Sequence, residues 1–413
     1  MENIDLEFIS KLFQKYKDEK IFTLQQYPDI KGYYYVGHVD NGRKHGYGEL
    51  HWGNGNFYKG RFLCDSKVED VIGEIIFKDG RKYKGYTNLF SYQFKYGIYH
   101  QLDSSVYIGN YEPLTKGTRF GIILKKTIFI EGDFSGEKPK GYCYYYDEKT
   151  NLFLFGKFEG WTINGKFLLV TKDDNYILGK RHKDLDEDII YQNLSKDEVF
   201  EKNLLVKKLI RNNDHIFFGQ VTNNGYQNKS WLYKFNEYVF RGKFKNGLKD
   251  GRGLIRYLNG NLYDGNFEND MYNGKGFFID LNIGKYYGDF IENRKEGFGE
   301  LILKNGDKYS GSFKNDKFNG LGNYSDAKGF ITIEGKFKEG KLVEISNVLT
   351  NPKSQNCASY IKFEFAIFFT YNCEMNSNKF SGVVFLKINN EEKFYYIDKG
   401  IIVKKLNELD YLL

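Results

Sequence analysis

The sequence has few prolines, few cysteines and no long apolar run, and each shortage excludes a class of protein. Four prolines beside 45 glycines in 413 residues argue against a disordered linker or a collagen-like chain. The four cysteines form no C-x-x-C pair and there are only six histidines, so we expect reduced thiols and no zinc site. The longest apolar stretch, around 366–370, is too short to cross a bilayer.

Neither positive nor negative charge is in large excess. The chain has 61 basic and 54 acidic residues, a formal net charge of +7. A dedicated nucleic-acid-binding protein usually carries a denser basic stripe, so we expect no nucleic-acid partner. The residues after Met1 lack the charged-then-apolar pattern of a secretion signal, and we therefore expect a soluble protein of the cytoplasm.

The sequence contains partial matches to motifs of catalysis and cofactor binding, but each match lacks an essential residue. Residues 160–167 mimic a phosphate loop, but Phe167 stands where Ser or Thr must bind magnesium. The aspartates of 184–188 resemble the start of a calcium loop, but Ile189 replaces its glycine. No Ser, His and Asp set falls in a nucleophile signature. We therefore predict no catalytic residue, no cofactor and no metal site.

Aromatic residues are abundant, at 18% of the chain, and they occur in a repeated phrase. The phrase is aromatic-x-Gly-x-aromatic, as in 263–267 and 309–313. Apart from one jump of 40 residues, successive copies are 23 to 25 residues apart, which is the signature of a repeat architecture. The glycines of the phrase are Gly37, Gly60, Gly85, Gly109, Gly132, Gly156, Gly179, Gly219, Gly242, Gly265, Gly288, Gly311 and Gly335.

Two further glycine patterns keep a fixed distance from the phrase. A Gly-x-Gly begins nine residues after the phrase glycine, as at Gly274 and Gly276. A dipeptide such as Asn259-Gly260 ends each unit and supplies the positive φ of a tight hairpin turn. The copies are not equally good, and units in the middle of the chain that depart from the Gly-x-Gly pattern are expected to pair with looser or altered turns. The residues that replace their glycines are Cys143, Phe167, Asn228 and Ser230.

Together these motifs resemble the MORN repeat, in about thirteen copies from Gly32 to Glu344. The resemblance implies an all-β, non-catalytic protein built as an elongated, twisted, single-layer stack of antiparallel β-hairpins. One hairpin is not stable alone in water, so each must be stabilised by its neighbours. At two strands per repeat and about 4.8 Å per strand, the stack would extend roughly 125 Å.

The phrase predicts which residues hold the stack together. Side chains alternate along a strand, so the two aromatics and the glycine share one face, and residues such as Asp264, Asn266 and Ser310 face solvent. A ring from the neighbouring hairpin is expected to cover the gap at each glycine. Repetition would produce an aromatic ladder that also serves as a candidate interaction surface. Its residues are Tyr35, Tyr58, Tyr83, Tyr107, Phe244, Tyr263, Phe267, Tyr286, Phe290, Tyr309 and Phe313.

The jump between Gly179 and Gly219 indicates an insertion in the array. A capping box at 195–198, followed by apolar residues at near-helical spacing, predicts an amphipathic helix over 196–210. A second amphipathic helix is predicted near the N-terminus, over 4–16. Each helix either braces the sheet or docks into a partner. The residues proposed for docking are Val199, Phe200, Leu204 and Leu209.

Beyond Lys341 the period fades. Strands predicted at 361–365, 383–386, 394–397 and 401–403 form a degenerate β-rich cap, which would protect the open edge of the stack. The predicted divisions are an N-terminal helix and lead-in at 1–31, a first MORN array at 32–181, a helical insertion at 182–214, a second MORN array at 215–344 and the cap at 345–413.

The resemblance implies two alternative functions. The first is a structural scaffold that binds other protein subunits of a larger cytoskeletal assembly, such as a ciliary axoneme with its radial spokes, and that also self-associates through the array. The second is a membrane-tethering or phospholipid-binding module. A reader of lipid headgroups should repeat a basic residue, but the position before the phrase glycine is mixed, as Lys59, Glu131 and Asp264 show. We therefore favour protein partners.

Overall fold

The structure is a computed structural model, and the residues that it describes contain strands and turns but no helix. The all-β prediction is therefore confirmed. The described residues are 22–26, 33–40, 43–62, 71–88, 93–110, 119–135, 138–181, 188–194, 208–327, 331–350, 360–362, 366–376, 379–388, 391–398 and 401–406.

Among the described residues, fifteen strands form the first sheet, in the order of the chain. They are β1 (Phe22–Gln26), β2 (Tyr34–Asp40), β3 (Arg43–His51), β4 (Phe57–Phe62), β5 (Val71–Ile76), β6 (Lys82–Asn88), β7 (Gln93–His100), β8 (Val106–Asn110), β9 (Arg119–Lys125), β10 (Ile128–Ser135), β11 (Lys138–Asp147), β12 (Leu152–Glu159), β13 (Thr162–Val170), β14 (Tyr176–Arg181) and β15 (Asp188–Leu194).

Eighteen strands of the part of the chain that the structure describes form the second sheet, again in chain order. They are β16 (Lys208–Arg211), β17 (His215–Thr222), β18 (Gly225–Lys234), β19 (Tyr238–Lys245), β20 (Leu248–Tyr257), β21 (Leu262–Glu268), β22 (Met271–Asp280), β23 (Gly284–Ile291), β24 (Arg294–Leu303), β25 (Lys308–Lys314), β26 (Lys317–Ser325), β27 (Ile331–Lys338), β28 (Lys341–Thr350), β29 (Tyr360–Lys362), β30 (Ala366–Asn376), β31 (Lys379–Ile388), β32 (Glu391–Asp398) and β33 (Ile401–Leu406).

Tight turns make both sheets into runs of antiparallel hairpins. Asn269 and Asp270, between β21 and β22, have φ values of 49° and 68°, the two positive values of a type I′ hairpin turn. At the other end of β21, Gly260 has a φ of 85° and donates its N–H to the carbonyl of Tyr257. The predicted role of the Asn-Gly dipeptide is confirmed at this turn.

The glycines of the repeat face one another across the strands. Gly265 on β21 is opposite Gly253 on β20 and Gly276 on β22, so a row of residues without side chains crosses the sheet. Gly274, the first glycine of the Gly-x-Gly, lies in the β-bulge that interrupts the pairing of β21 with β22, and its φ is 79°. A bulge of this kind favours glycine because it requires a left-handed backbone.

The strands of units that lack these glycines still pair, and other residues take the positions of the missing glycines. Cys143 is opposite Gly156, and Ser230 is opposite Gly242, so both occupy the glycine row. Asn228 stands where other units have the bulge glycine, and its φ of 57° is one that asparagine tolerates better than most residues. The repeat therefore continues through the degenerate units.

The two sheets pack face to face, so the predicted single layer is wrong. We call the face that carries the phrase residues the inner face of each sheet, and the opposite one the outer face. The outer faces meet in an apolar core, where Phe129 stacks on Tyr233 at a ring distance of 4.0 Å and Tyr144 stacks on Trp231 at 4.8 Å. Asn266 is exposed on the outer face as expected, but these outer rings avoid water by covering one another.

The sheets run in opposite sequence order along their shared interface. Near the point where the chain folds back, Arg211 donates a 2.5 Å hydrogen bond to the carbonyl of Thr171. At the far end, Arg61 lies 3.8 Å from Asp307. The continuous rod expected from thirteen stacked repeats is therefore replaced by two arrays that lie against each other.

The predicted helices are not supported. All of 4–16 and of 196–207 lies outside the described residues, and the strands β1, β15 and β16 occupy parts of the predicted lead-in and insertion. The last turn of the predicted helix over 196–210 is wrong, because Leu209 and Ile210 belong to β16 and pair with β17. Hydrogen bonds to β17, together with burial of Leu209 between the sheets, override the helical spacing.

The described residues of the C-terminal region all lie in β-strands, as predicted for the cap. Four of its strands, β29, β31, β32 and β33, fall at the predicted places, and β30 was not predicted. Asn347 on β28 is paired with Ile401 on β33, so the last strand returns to the end of the array. This pairing supports the interpretation that the region protects an open sheet edge.

Candidate interaction surfaces

The first aromatic ring of each phrase lies over the glycine row. A β-carbon on Gly265 would lie 2.5 Å from Cζ of Tyr263, in the same strand, and one on Gly276 would lie 2.5 Å from Cε2 of the same ring. The prediction that a neighbouring hairpin supplies this ring is wrong for this unit. The Tyr263 hydroxyl donates a 2.8 Å hydrogen bond to the carbonyl of Asn266, which fixes the ring over the backbone. Burial raises the pKa of this hydroxyl well above its ordinary value.

The second aromatic of each phrase links consecutive repeats. Phe290 meets two rings edge-on, Tyr286 of its own unit at 5.1 Å and Tyr263 of the preceding unit at 5.2 Å. Phe313 repeats this arrangement with Tyr309 and Tyr286, at 5.2 and 5.0 Å. Edge-to-face contacts of this kind add about 0.5–1.5 kcal/mol each beyond area burial. The rings therefore form a zigzag that couples each hairpin to the next.

A third residue covers each phrase ring from the side away from the glycines, and sequence reasoning missed it. Tyr272 stacks on Tyr263 at 3.7 Å, and Phe318 stacks on Tyr309 at 3.8 Å. In the intervening unit the Lys295 ammonium lies 5.6 Å from the Tyr286 ring centroid instead. These residues follow the hairpin turn at a constant position, which is a periodic signal that could have identified them.

The ladder residues are buried in both arrays. In the first array Tyr35 and Tyr58 meet Phe62 edge-on at 4.9 and 5.4 Å, and both tyrosines are fully buried. In this structure these side chains hold hairpins together, and their use as a contact surface stays a prediction. The ladder positions whose side chains are buried are Tyr35, Tyr58, Tyr83, Tyr107, Phe244, Tyr263, Phe267, Tyr286, Phe290, Tyr309 and Phe313.

The proposed docking helix is not formed by the residues that can be described. Val199, Phe200 and Leu204 lie outside the described residues. Leu209 is in β16 and is only 2% exposed, within the core between the sheets. The Leu209 side chain therefore packs within the protein and is not exposed for docking.

A buried carboxylate joins the two sheets. Glu131 on β10 is fully buried and accepts hydrogen bonds from Trp231 Nε1 at 2.6 Å and Arg241 Nε at 3.0 Å, both on the second sheet. Arg256 approaches its second oxygen at 3.3 Å, and Phe120 lies 4.3 Å beneath that guanidinium. A buried charge is costly unless it is paired and hydrogen-bonded, and these donors meet that requirement. The sequence offered no signal for this site, because Glu131 and Trp231 are 100 residues apart.

A second ionisable contact lies at the other end of the interface. The Asp307 side chain is 1% exposed and lies 3.8 Å from Arg61 of the first sheet. It accepts hydrogen bonds from the Asn305 amide at 2.9 Å and the Ala327 N–H at 3.2 Å. Burial raises the pKa of Asp307 to about 6, Arg61 opposes that shift, and the nearby Asp326 adds to it.

Asp307 should make stability depend on pH between about 4 and 6. Its pKa is higher in the folded protein than the ordinary 3.8, so the folded state binds the proton more tightly. The resulting stabilisation is complete below pH 4 and is lost as pH rises through 6, by up to about 3 kcal/mol. Urea unfolding at several pH values, with Asp307→Asn as the comparison, measures this. A wild-type-minus-variant difference that does not change with pH would contradict the assignment.

The described residues show neither a metal centre nor a membrane-spanning helix. No three His, Cys, Asp or Glu side chains in the described ranges are grouped so as to hold a metal ion. In the same part of the chain no helix is long and apolar enough to cross a membrane. The described residues form stacked hairpins, an interface between two sheets, and outer faces of which only part is exposed.

Comparison with known families agrees with the repeat seen in the structure. The model of the MORN repeat matches residues 35–57, 240–262, 263–280, 286–308 and 309–330. The first match spans β2 to the start of β4, and the other four follow one another through the second sheet. A search of curated proteins finds no match to the chain.

Proposed function

The chain is a MORN-repeat protein, and from that premise we propose that it is a non-catalytic scaffold that binds other proteins in a cytoskeletal assembly, such as a ciliary axoneme. MORN repeats are generally protein-interaction or membrane-binding modules, and MORN-repeat proteins are generally non-catalytic. The choice between protein and membrane depends on what the exposed faces carry.

The observation that supports a protein partner is an apolar patch on the outer face of the second sheet. Tyr287, Phe298 and Leu321 are 62%, 61% and 70% exposed. Tyr287 is directly opposite Phe277, which packs against the core between the sheets, so the patch begins where the first sheet stops covering this face. An exposed group of large apolar side chains is typical of a protein-binding site.

Two of the lysines beside this patch are paired with carboxylates within the same surface. Lys275 pairs with Asp289 at 2.7 Å, and Lys308 pairs with Glu300 at 2.7 Å. An anionic bilayer would have to compete with these carboxylates for the lysines. The patch therefore favours a partner that offers apolar and neutral polar groups over one that offers phosphates.

Stiffness of the array also suits a scaffold. The ladder rings and the glycine row are buried, and the outer faces are joined through Glu131 and Trp231, which are 0% and 1% exposed. A rigid surface loses little conformational entropy on binding. The array can therefore hold partners at fixed spacing.

Fractionation of cells that produce the tagged full chain tests this function. We expect the protein to remain with the detergent-extracted cytoskeleton, and we expect Phe298→Ser with Leu321→Ser to release it, with about tenfold or greater loss of retention. Trp161→Ser, which removes an aromatic side chain that is 51% exposed elsewhere, should have no such effect. Strong, salt-sensitive co-sedimentation of the purified protein with anionic liposomes, or enrichment in the membrane pool, would favour the phospholipid-binding alternative.

A further inference from the structure

Four lysines form two like-charged pairs on the outer faces of the sheets. Lys166 on β13 is directly opposite Lys180 on β14, and Lys229 on β18 is directly opposite Lys243 on β19. All four side chains are exposed, and none of them forms an ion pair in the described part of the chain. Like charges directly opposite each other destabilise a sheet. The stability of the fold therefore does not explain why lysine occupies these four positions.

The two pairs lie at one end of the core between the sheets. Tyr146 on β11 contacts Phe235, the residue after β18, at 5.9 Å. Further along the same two strands, Tyr144 stacks on Trp231 at 4.8 Å. The following outer residues are Tyr142 on the first sheet and Lys229 on the second. Tyr142 is 52% exposed whereas Trp231 is 1% exposed, so the interface opens into a crevice at this point.

The first sheet contributes its lysines to the same opening. Leu168 and Leu178 form the neighbouring outer-face pair, two residues along each strand from Lys166 and Lys180, and they pack in the core between the sheets. Lys157, a fifth exposed lysine, is directly opposite Tyr142. We call Lys157, Lys166, Lys180, Lys229 and Lys243 the lysine crevice.

Three acidic side chains near the lysine crevice are already engaged, whereas a fourth, Asp133 on β10, lies close to Gly141, the residue before Tyr142. Glu159 accepts a 2.6 Å hydrogen bond from the Asn164 amide. Asp264 pairs with Arg252 at 2.7 Å. Glu131 is buried behind Trp231 and Arg241. The five lysines outnumber Asp133, so the crevice keeps a net positive charge that is left for a ligand.

We propose that the lysine crevice binds an acidic, extended segment of a partner protein. Residues that lower the stability of a fold, and that make no compensating contact within it, are typical of binding sites. A cleft between two sheets, with the Tyr142 ring at its mouth, admits a single chain along its length. A flat bilayer would reach only the rim of the cleft. This surface is separate from the apolar patch, so the inference can fail while the proposed scaffold function holds.

Binding of a fluorescein-labelled oligoglutamate peptide of about ten residues to the purified full chain tests the proposal by fluorescence anisotropy at low salt. Lys166→Gln with Lys180→Gln, and Lys229→Gln with Lys243→Gln, should each weaken binding about tenfold. Lys336→Gln with Lys338→Gln is the matched control, because Lys336 holds the same repeat position as Lys243 on β27, and it should change binding less than about twofold.

The melting temperature distinguishes a binding role from a structural one. Removing directly opposed like charges should raise it by about 1–3 °C in both crevice variants. No binding of the peptide, equal weakening by the control, or a lower melting temperature in the crevice variants would each overturn the proposal. Lysine-dependent co-sedimentation with phosphatidylserine vesicles, without peptide binding, would assign the crevice to lipid instead. Retention with the cytoskeleton is measured separately, so its loss would count against the scaffold function and not against this site.

Discussion

Replacing Glu131 with alanine is expected to lower the free energy of unfolding by about 3–5 kcal/mol. The carboxylate accepts hydrogen bonds from Trp231 and Arg241 and lies beside Arg256, all within the interface. Its removal leaves two guanidinium groups in a low-dielectric site without a counter-charge, and two of their nitrogens, Arg241 Nη2 and Arg256 Nε, already lack a partner. Urea unfolding followed by circular dichroism measures the loss, and hydrogen exchange should show faster opening of strands on both sides of the interface.

Two companion variants show whether the loss comes from the buried charge. Glu300→Ala removes an ion pair with Lys308 in which both side chains are about two-fifths exposed, and it should cost less than about 1 kcal/mol. Glu131→Met combined with Arg241→Met and Arg256→Leu should recover most of the stability, because a buried ion group can often be replaced by apolar residues of similar volume. A single Glu131→Ala variant as stable as the wild type would show that the carboxylate does not join the sheets.

Replacing Gly265 with valine is expected to cost about 3 kcal/mol or more. Its β-carbon would lie 2.5 Å from Cζ of Tyr263 and 2.7 Å from Cα of Gly276, and the strand pairing gives the backbone no room to retreat. The Tyr263 ring would have to leave the glycine row, which would also remove its edge-on contacts with Phe267 and Phe290. Hydrogen exchange across β20 to β23 should therefore accelerate more than exchange in distant strands.

The neighbouring position supplies the control for this variant. Asn266→Val places the same side chain one residue further on, on the exposed outer face of the same strand, and should change stability by less than about 0.5 kcal/mol. The two variants introduce the same residue, valine, at adjacent positions of one strand. They differ only in the face of the sheet that the new side chain occupies. Equal melting curves for wild type and Gly265→Val would be incompatible with a ring packed over this glycine.

Several features of the repeat could be predicted because they are local in the chain. The positive φ of Gly260 follows from a dipeptide and its position between two strands. The shared face of Tyr263, Gly265 and Phe267 follows from the alternation of side chains along one strand. Such features need no knowledge of distant residues, so the phrase and its period were sufficient.

The errors lie where a residue's surroundings come from elsewhere in the chain. Helical spacing around Leu209 was outweighed by pairing with β17 and by burial between the sheets. The outer face was assigned to solvent on the evidence of a few polar positions, although Phe129, Trp231 and Tyr233 are also outer residues. A strand pattern reports that a face is apolar in places, but it does not report what covers it.

The sequence alone determined that the chain is a stack of MORN-type hairpins with an aromatic and glycine inner face, because each contact of that face joins residues within one or two repeats. Only the tertiary structure decided that the stack folds back on itself. The contacts that hold the fold-back, such as Glu131 with Trp231 and Arg61 with Asp307, join residues that no periodic pattern relates. The proposed lysine crevice draws on residues of both sheets, so this candidate binding surface depends on packing between the arrays and not on the repeat alone.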